Sequence, residues 1–135
     1  MLAHSIALLG ECMLEFSPAA DSGRQSEQQY RLGVAGDTYN TAVALAQLGC
    51  RSQYLTALGE DPHSDFIIES ARNWDINTEV IQRRGQQTPG LYLIANDAAG
   101  ERFFTYWRSN SAAQASLSDP ASLQQLLDSM APAQW

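Results

Sequence analysis

From residue 28 onward the chain switches repeatedly between strand and helix periodicity, and that alternation restricts its fold more than any other feature. Residues 28–34 alternate through Tyr30, Leu32 and Val34 as a strand. Residues 37–48 then carry a helical pattern, which Asp37 or Thr38 can cap and Gly49 can end. Residues 52–58 read as a strand closed by Gly59. Asp61-Pro62 opens a second helix that runs to about Trp74, with Asp61 as the cap and the proline in the first turn. Ala42, Ala44 and Ala46 allow the first helix to lie very close to a sheet. Strands alternating with helices predict an α/β fold with a largely parallel sheet flanked by helices.

Other segments depart from that rhythm. Residues 5–9 form a short apolar run stopped by Gly10, which predicts a strand buried on both faces, and residues 12–16 predict a second, more exposed one. Residues 17–29, rich in Ser, Gln, Ala and Asp, read as a loop. Val80-Ile81 predicts a short strand, and residues 85–89 a turn. Residues 90–95 and 102–107 predict a β-hairpin around the tight-turn sequence Asn96-Asp97-Ala98-Ala99-Gly100. Asp119-Pro120 repeats the cap-then-proline start for a last helix through Met130. The hairpin and the early exposed strands predict a second, smaller β layer.

Composition narrows function by exclusion. A chain of 135 residues suits about one domain. The net charge of −7 argues against a general binder of nucleic acid or anionic membranes, which would need a basic face. All 8 basic residues are arginine, so a P-loop lysine and Schiff-base chemistry are excluded for this chain acting alone. The longest apolar start, Ile6-Ala7-Leu8-Leu9, is far short of the ~20 residues that span a bilayer, and it lacks the basic flank and long apolar core of a signal peptide. Cys12 and Cys50 form no Cys-x-x-Cys and only 2 histidines exist, so no zinc pattern arises. Both cysteines read as small, buried or half-buried residues in a reducing cytoplasm.

The segment richest in chemistry is Ala35-Gly36-Asp37-Thr38-Tyr39-Asn40-Thr41-Ala42. Gly36 permits a tight turn and close approach of a ligand. The free N–H groups of a helix start, together with Asp37 and Asn40, form a hydrogen-bonding cup for hydroxyl or carboxylate groups. An ordinary capped helix with an alanine packing face gives the same pattern.

This stretch, followed by Gly49 and Gly59 at the expected intervals, resembles the first motif of the ribokinase-like (PfkB) carbohydrate kinases. Within them, Gly10-Glu11-Cys12-Met13-Leu14-Glu15, Thr56-Ala57-Leu58-Gly59-Glu60-Asp61, Pro89-Gly90-Leu91-Tyr92 and Gly100-Glu101-Arg102-Phe103-Phe104-Thr105-Tyr106-Trp107-Arg108 resemble the 2-keto-3-deoxygluconate kinases. The similarity runs in order over residues 6–113. It implies that Gly36, Asp37, Thr38, Tyr39 and Asn40 contact a sugar acid, with Tyr92 beside it and Tyr106 and Arg108 gripping it. Glu15 falls where relatives place a sugar-contacting acid. No role attaches to Arg83-Arg84, which reads as a solvated turn.

The resemblance further implies a ribokinase-like fold, incomplete in this chain, in which residues 1–135 are the amino-terminal part of one domain. Segments of about 12–34 and 88–108 would build a β lid that pairs between subunits into a homodimer. The complete enzyme would transfer the γ-phosphoryl group of ATP, with Mg²⁺, to the sugar acid. The family's Gly-Ala-Gly-Asp motif, which supplies the base and the anion hole, does not occur in these residues, so neither a catalytic base nor a nucleotide site is expected here. The chain alone is expected to show no turnover.

An acidic protein that binds an anion needs a local cation, and Arg108 offers a planar fork for a carboxylate, with Tyr106 and Trp107 placed to exclude water. A surface arginine lying over a β-ribbon would look the same, and Tyr92 and Tyr106 could instead be cross-strand packing, one serving each purpose. A kinase for a neutral sugar such as fructose, or a non-catalytic binding remnant, are the alternatives.

Overall fold

The computed structural model describes residues 5–19 and 27–130. The middle of the loop expected over 17–29, and residues 131–135, lie outside them. The elements run β1 (Ser5–Leu9), β2 (Met13–Pro18), β3 (Tyr30–Ala35), α1 (Asp37–Gln47), β4 (Arg51–Leu55), β5 (Ala57–Leu58), α2 (Pro62–Arg72), β6 (Gln82–Arg83), β7 (Gly90–Asn96), β8 (Arg102–Trp107), α3 (Ala112–Ser118) and α4 (Pro120–Asp128). Strand and helix alternate as expected, and β1–β4 and β5–β6 are parallel pairs.

The early strands and the hairpin join into one four-stranded sheet, ordered β3-β2-β7-β8. Its outer pairs are antiparallel, and β2 and β7 meet in parallel at its centre, Met13 opposite Gly90 and Glu15 opposite Tyr92. Because side chains alternate across a strand, the sheet has two distinct faces. Cys12, Leu14, Phe16, Val34 and Leu91 join the main core with Tyr39, Ala42, Tyr54, Leu58, Ile67 and Ile68. Met13, Ala35, Tyr92 and Ile94 cluster on the other face.

Several expectations are corrected. β1 is largely exposed, with only Leu8 half-buried, whereas the polar-looking β4 is buried from Ser52 to Leu55. Burial follows position in the sheet. β4 has β1 on one edge and Asn77 on the other (Asn77 N–H to Ser52 O, 2.9 Å), while among the described residues β1 pairs with β4 alone. The 12–16 segment is accordingly more buried than β1, not less, because it leads into the centre of the four-stranded sheet. The strand expected over 52–58 breaks at Thr56 into β4 and β5. The strand expected at Val80-Ile81 pairs two residues later: Ile81 sits in the core, and Gln82 donates the ladder bond to Thr56 O at 3.0 Å.

The helix starts divide into two kinds. Asp61 caps α2, accepting from His63 N–H at 3.0 Å and Ser64 N–H at 3.1 Å, and Asp119 caps α4, accepting from Ser122 N–H at 2.9 Å. Hydrogen bonds from Ser64 and His63 outweigh the effect of burial and lower the carboxyl of Asp61 below its ordinary range. α1 begins differently. Its cap is Gly36, and neither Asp37 nor Thr38 caps it, because φ of +147° at Gly36 turns the chain directly into the first helical residue.

α3 was not anticipated. Ser111 caps it by accepting from Gln114 N–H at 3.1 Å, and the Ser111-x-x-Gln114 spacing of a capping box is the signal for it. Arg84 is no solvated turn either. It donates to Gln87 Oε1 at 2.9 Å and to Ser116 Oγ and Ser122 Oγ at 3.0 Å each, tying α3 and α4 to the β6 region. Arg83 donates to Gly59 O at 2.7 Å. Cys12 is buried, as expected for a structural thiol, but Cys50, just beyond the α1 terminus, is exposed.

Candidate active site: a cleft between the α1 start and the four-stranded sheet

Gly36 places the start of α1 against the β1–β2 connection so closely that a Cβ on it would lie 2.6 Å from the Glu11 carbonyl oxygen. That approach leaves a cleft of about 380 Å³. Gly36, Asp37, Thr38 and Asn40 form one wall; Tyr92, Phe104, Tyr106 and Arg108 form the other; Glu11 and Met13 line it between them. Since no side chain caps α1, its first-turn N–H groups remain available to a ligand. Thr38 is braced from behind by a 2.8 Å hydrogen bond between its hydroxyl and that of Tyr54.

On the sheet wall, Tyr92 is directly opposite Tyr106, and Ile94 opposite Phe104. The rings of Tyr92 and Tyr106 stand 5.4 Å apart, so both tyrosines present to the same face rather than one serving packing and the other ligand. The Tyr92 hydroxyl donates to Glu15 Oε2. Burial foremost, then this bond and the Glu15 charge, push the phenol above its ordinary range, so it stays a neutral donor at physiological pH.

Arg108 closes the far end. Its Nη2 lies 2.6 Å from Glu11 Oε2, while Ser111 Oγ donates to Glu11 Oε1 at 2.6 Å. Glu11 Oε2 accepts no aligned N–H, so its contact with Arg108 is an ion pair rather than a formed hydrogen bond. Tyr106 and Trp107 do not dry this arginine. Trp107 pairs with Leu91 on the opposite face from Tyr106, and the Arg108 side chain remains 47% exposed.

Seven of the nine residues singled out in the sequence thus line one cleft. Tyr39 does not. At the third position of α1 it turns into the core, stacks edge-on against Tyr54 at 6.1 Å and exchanges a 2.7 Å hydrogen bond with Ser70. Glu15 lies behind Tyr92 and meets the cleft through that hydroxyl. Glu11 is the residue the sequence reading passed over. Its signal was the need of a lone arginine in an acidic chain for a counter-ion. Among the described residues, no group of three or more His, Cys, Asp or Glu gathers to hold an ion, so no Mg²⁺ ligand is assigned here.

The model of the pfkB family carbohydrate kinases matches residues 3–133. The chain belongs to that family. Among curated relatives, this pfkB chain is 40% identical over 125 residues to the 2-dehydro-3-deoxygluconokinase of Dickeya dadantii, covering 89% of the chain and 38% of the relative. It is 35% identical over 117 residues to the enzyme of the same name from Escherichia coli K12, covering 84% and 36%. The chain therefore spans little more than a third of the length of these relatives. Among solved structures, the fructokinase of Xylella fastidiosa superposes with a TM-score of 0.76 at 28% identity, covering 83% of this chain and 34% of that one. The 2-dehydro-3-deoxygluconokinase of Thermotoga maritima superposes with a TM-score of 0.74 at 26% identity, covering 93% and 38%. The ribokinase-like fold expected from the sequence is the fold observed.

Proposed function

We propose that this chain supplies the sugar-acid-binding portion of a kinase that transfers the γ-phosphoryl group of ATP to 2-keto-3-deoxygluconate (the same compound as 2-dehydro-3-deoxygluconate), giving 2-keto-3-deoxy-6-phosphogluconate. The observation that supports it is the cleft: a single arginine opposite an uncapped helix start, with two tyrosine hydroxyls between. In this reading Arg108 takes the substrate carboxylate, and Asp37, Asn40 and the α1 N–H groups take hydroxyls. Tyr92, held by Glu15, orients the chain of the sugar. The four-stranded sheet is the lid, closing over substrate to exclude water before transfer.

ATP and Mg²⁺ belong to the complete enzyme. The base and anion hole would come from a Gly-Ala-Gly-Asp motif, which these 135 residues do not contain. β8 is the outer strand of the sheet and is exposed along its length, Phe103 and Trp107 on one face and Phe104 and Tyr106 on the other. That strand suits pairing of two lids in a homodimer. Free thiols and use of ATP favour the cytoplasm, and no helix among the described residues is long and apolar enough to cross a membrane.

One observation favours a neutral sugar such as fructose instead: Arg108 already has Glu11 as counter-ion, and Asp37 adds a second carboxylate to the cleft. Calorimetric titration of the chain with 2-keto-3-deoxygluconate and with fructose separates the two. Binding of the sugar acid, lost in Arg108→Ala, is expected. Equal or tighter binding of fructose would overturn the sugar-acid reading.

A further inference from the structure

Glu11 is a charged group in the cleft to which no motif gave a role. Its side chain is only 7% exposed and is held at both oxygens, Ser111 Oγ at 2.6 Å from Oε1 and Arg108 Nη2 at 2.6 Å from Oε2. Gly90 crowds it from the sheet, where a Cβ would lie 2.7 Å from Oε1 and 3.1 Å from Arg108 Cβ. Ser111 in turn caps α3. Glu11 therefore joins the β1–β2 connection, the residue after β8 and the start of α3.

A buried carboxylate with one oxygen short of an aligned donor is unfavourable unless its charge is met, and what meets it here is Arg108, the one cation lining the cleft among the described residues. We infer that Glu11 is a positioning residue: it holds Arg108 at Nη2 and so fixes the plane of the guanidinium, leaving its remaining N–H groups for the ligand carboxylate. Arginine carries five N–H donors in a rigid fork, so one edge can be spent on Glu11 while the other binds ligand. No other partner engages the Arg108 guanidinium among the described residues. A half-exposed arginine without such a hold would lose its rotamer freedom only on binding, and affinity would fall. Selectivity follows from the same arrangement. The Glu11 charge cancels much of the general attraction for anions, so a ligand must match the fixed edge of the fork rather than merely carry negative charge.

This inference rests on the sugar-acid reading but is tested separately from it. Side-chain nitrogen NMR of the ligand-free chain reads the hold directly. Exchange of the Arg108 Nη1 and Nη2 groups by rotation about the Nε–Cζ bond should be slow in the wild type and about tenfold faster in Glu11→Gln, which removes the charge, and in Glu11→Asp. The aspartate keeps a buried carboxylate but withdraws it by about 1.5 Å, which guards against a glutamine variant that fails to fold. Equal exchange in all three overturns the inference, whatever the chain binds.

Titration with 2-keto-3-deoxygluconate then asks what the hold does. Glu11→Gln should weaken binding about tenfold, leave fructose unchanged, and have no further effect in an Arg108→Ala background. A persisting effect in that background would make Glu11 structural or a direct ligand contact. Tighter binding would make it a competitor for Arg108. Either result overturns the positioning role. A wild-type chain that ignores the sugar acid defeats the sugar-acid reading, and the exchange measurement still decides on Glu11.

Discussion

Three glycines separate backbone strain from steric clash at the α1 start, and replacing each by alanine gives a graded prediction. At Gly33, within β3, φ is ordinary and nothing lies within 4 Å of an added Cβ. Alanine there removes the entropy cost of glycine in a strand and should be neutral or stabilise by up to about 1 kcal/mol. At Gly49, φ is +77° and again nothing lies within 4 Å, so alanine meets strain alone, about 1–2 kcal/mol. At Gly36, φ is +147° and the Cβ would stand 2.6 Å from Glu11 O and 3.3 Å from Cys12 Cα, both backbone atoms. Strain of about 1–3 kcal/mol is then joined by overpacking of about 1–3 kcal/mol, roughly 2–6 kcal/mol in all. For a domain of this size 1 kcal/mol moves Tm by about 3–5 °C. Gly36→Ala should therefore lower Tm by at least about 6 °C, Gly49→Ala by about 3–10 °C, and Gly33→Ala not at all. Thermal unfolding followed by far-ultraviolet circular dichroism reads all three. A Gly36→Ala protein melting within about 2 °C of wild type would show that the α1 start is not pinned against the Glu11 carbonyl, and the cleft described here would lose its wall.

Two further outcomes follow from single contacts. Asp61→Ala removes an acceptor for two N–H groups and the Ser64 hydroxyl and should cost about 1–2 kcal/mol in urea unfolding, whereas Asp61→Asn should cost far less at neutral pH. Because the folded carboxyl of Asp61 is lowered, its contribution is full above the unfolded value of about 3.9 and fades as pH falls below it; a wild-type and Asp61→Asn difference that grows on acidification would contradict this. Burial pushes the Cys12 thiol up to about 12, so an aromatic disulfide reagent at pH 8 should label Cys50 alone in the native chain, with no fast labelling left in Cys50→Ser.

What the sequence made legible was local chemistry with a fixed spacing. Asp61-Pro62 and Asp119-Pro120 gave helix starts because cap and proline act within one turn, and Asn96 to Gly100 gave the hairpin because the turn is decided by those few residues. Burial was not legible in the same way. The apolar β1 is exposed and Ser52-Gln53 in β4 is buried, since what covers a strand is set by elements distant in sequence. Tyr39 shows the same limit at the site. It sits between Thr38 and Asn40 in the motif, yet 100° of helical rotation per residue sends its ring to the core while its neighbours face the cleft.

The charge balance of the cleft is where sequence and structure differ most in consequence. A net charge of −7 and a single well-placed arginine suggest that Arg108 waits unpaired for an anion. Instead, Glu11, ninety-seven residues earlier, reaches the same guanidinium because β2 and β7 pair in parallel and bring Gly90 and the end of β8 over the β1–β2 connection. No spacing rule predicts a contact made by a parallel pairing between distant strands, since such pairing depends on everything between them. Under the proposed function, a ligand carboxylate would share Arg108 with Glu11 rather than be captured by a free charge. The hydroxyl contacts proposed for Asp37, Asn40 and Tyr92 would then weigh as much as the arginine in deciding which sugar is held.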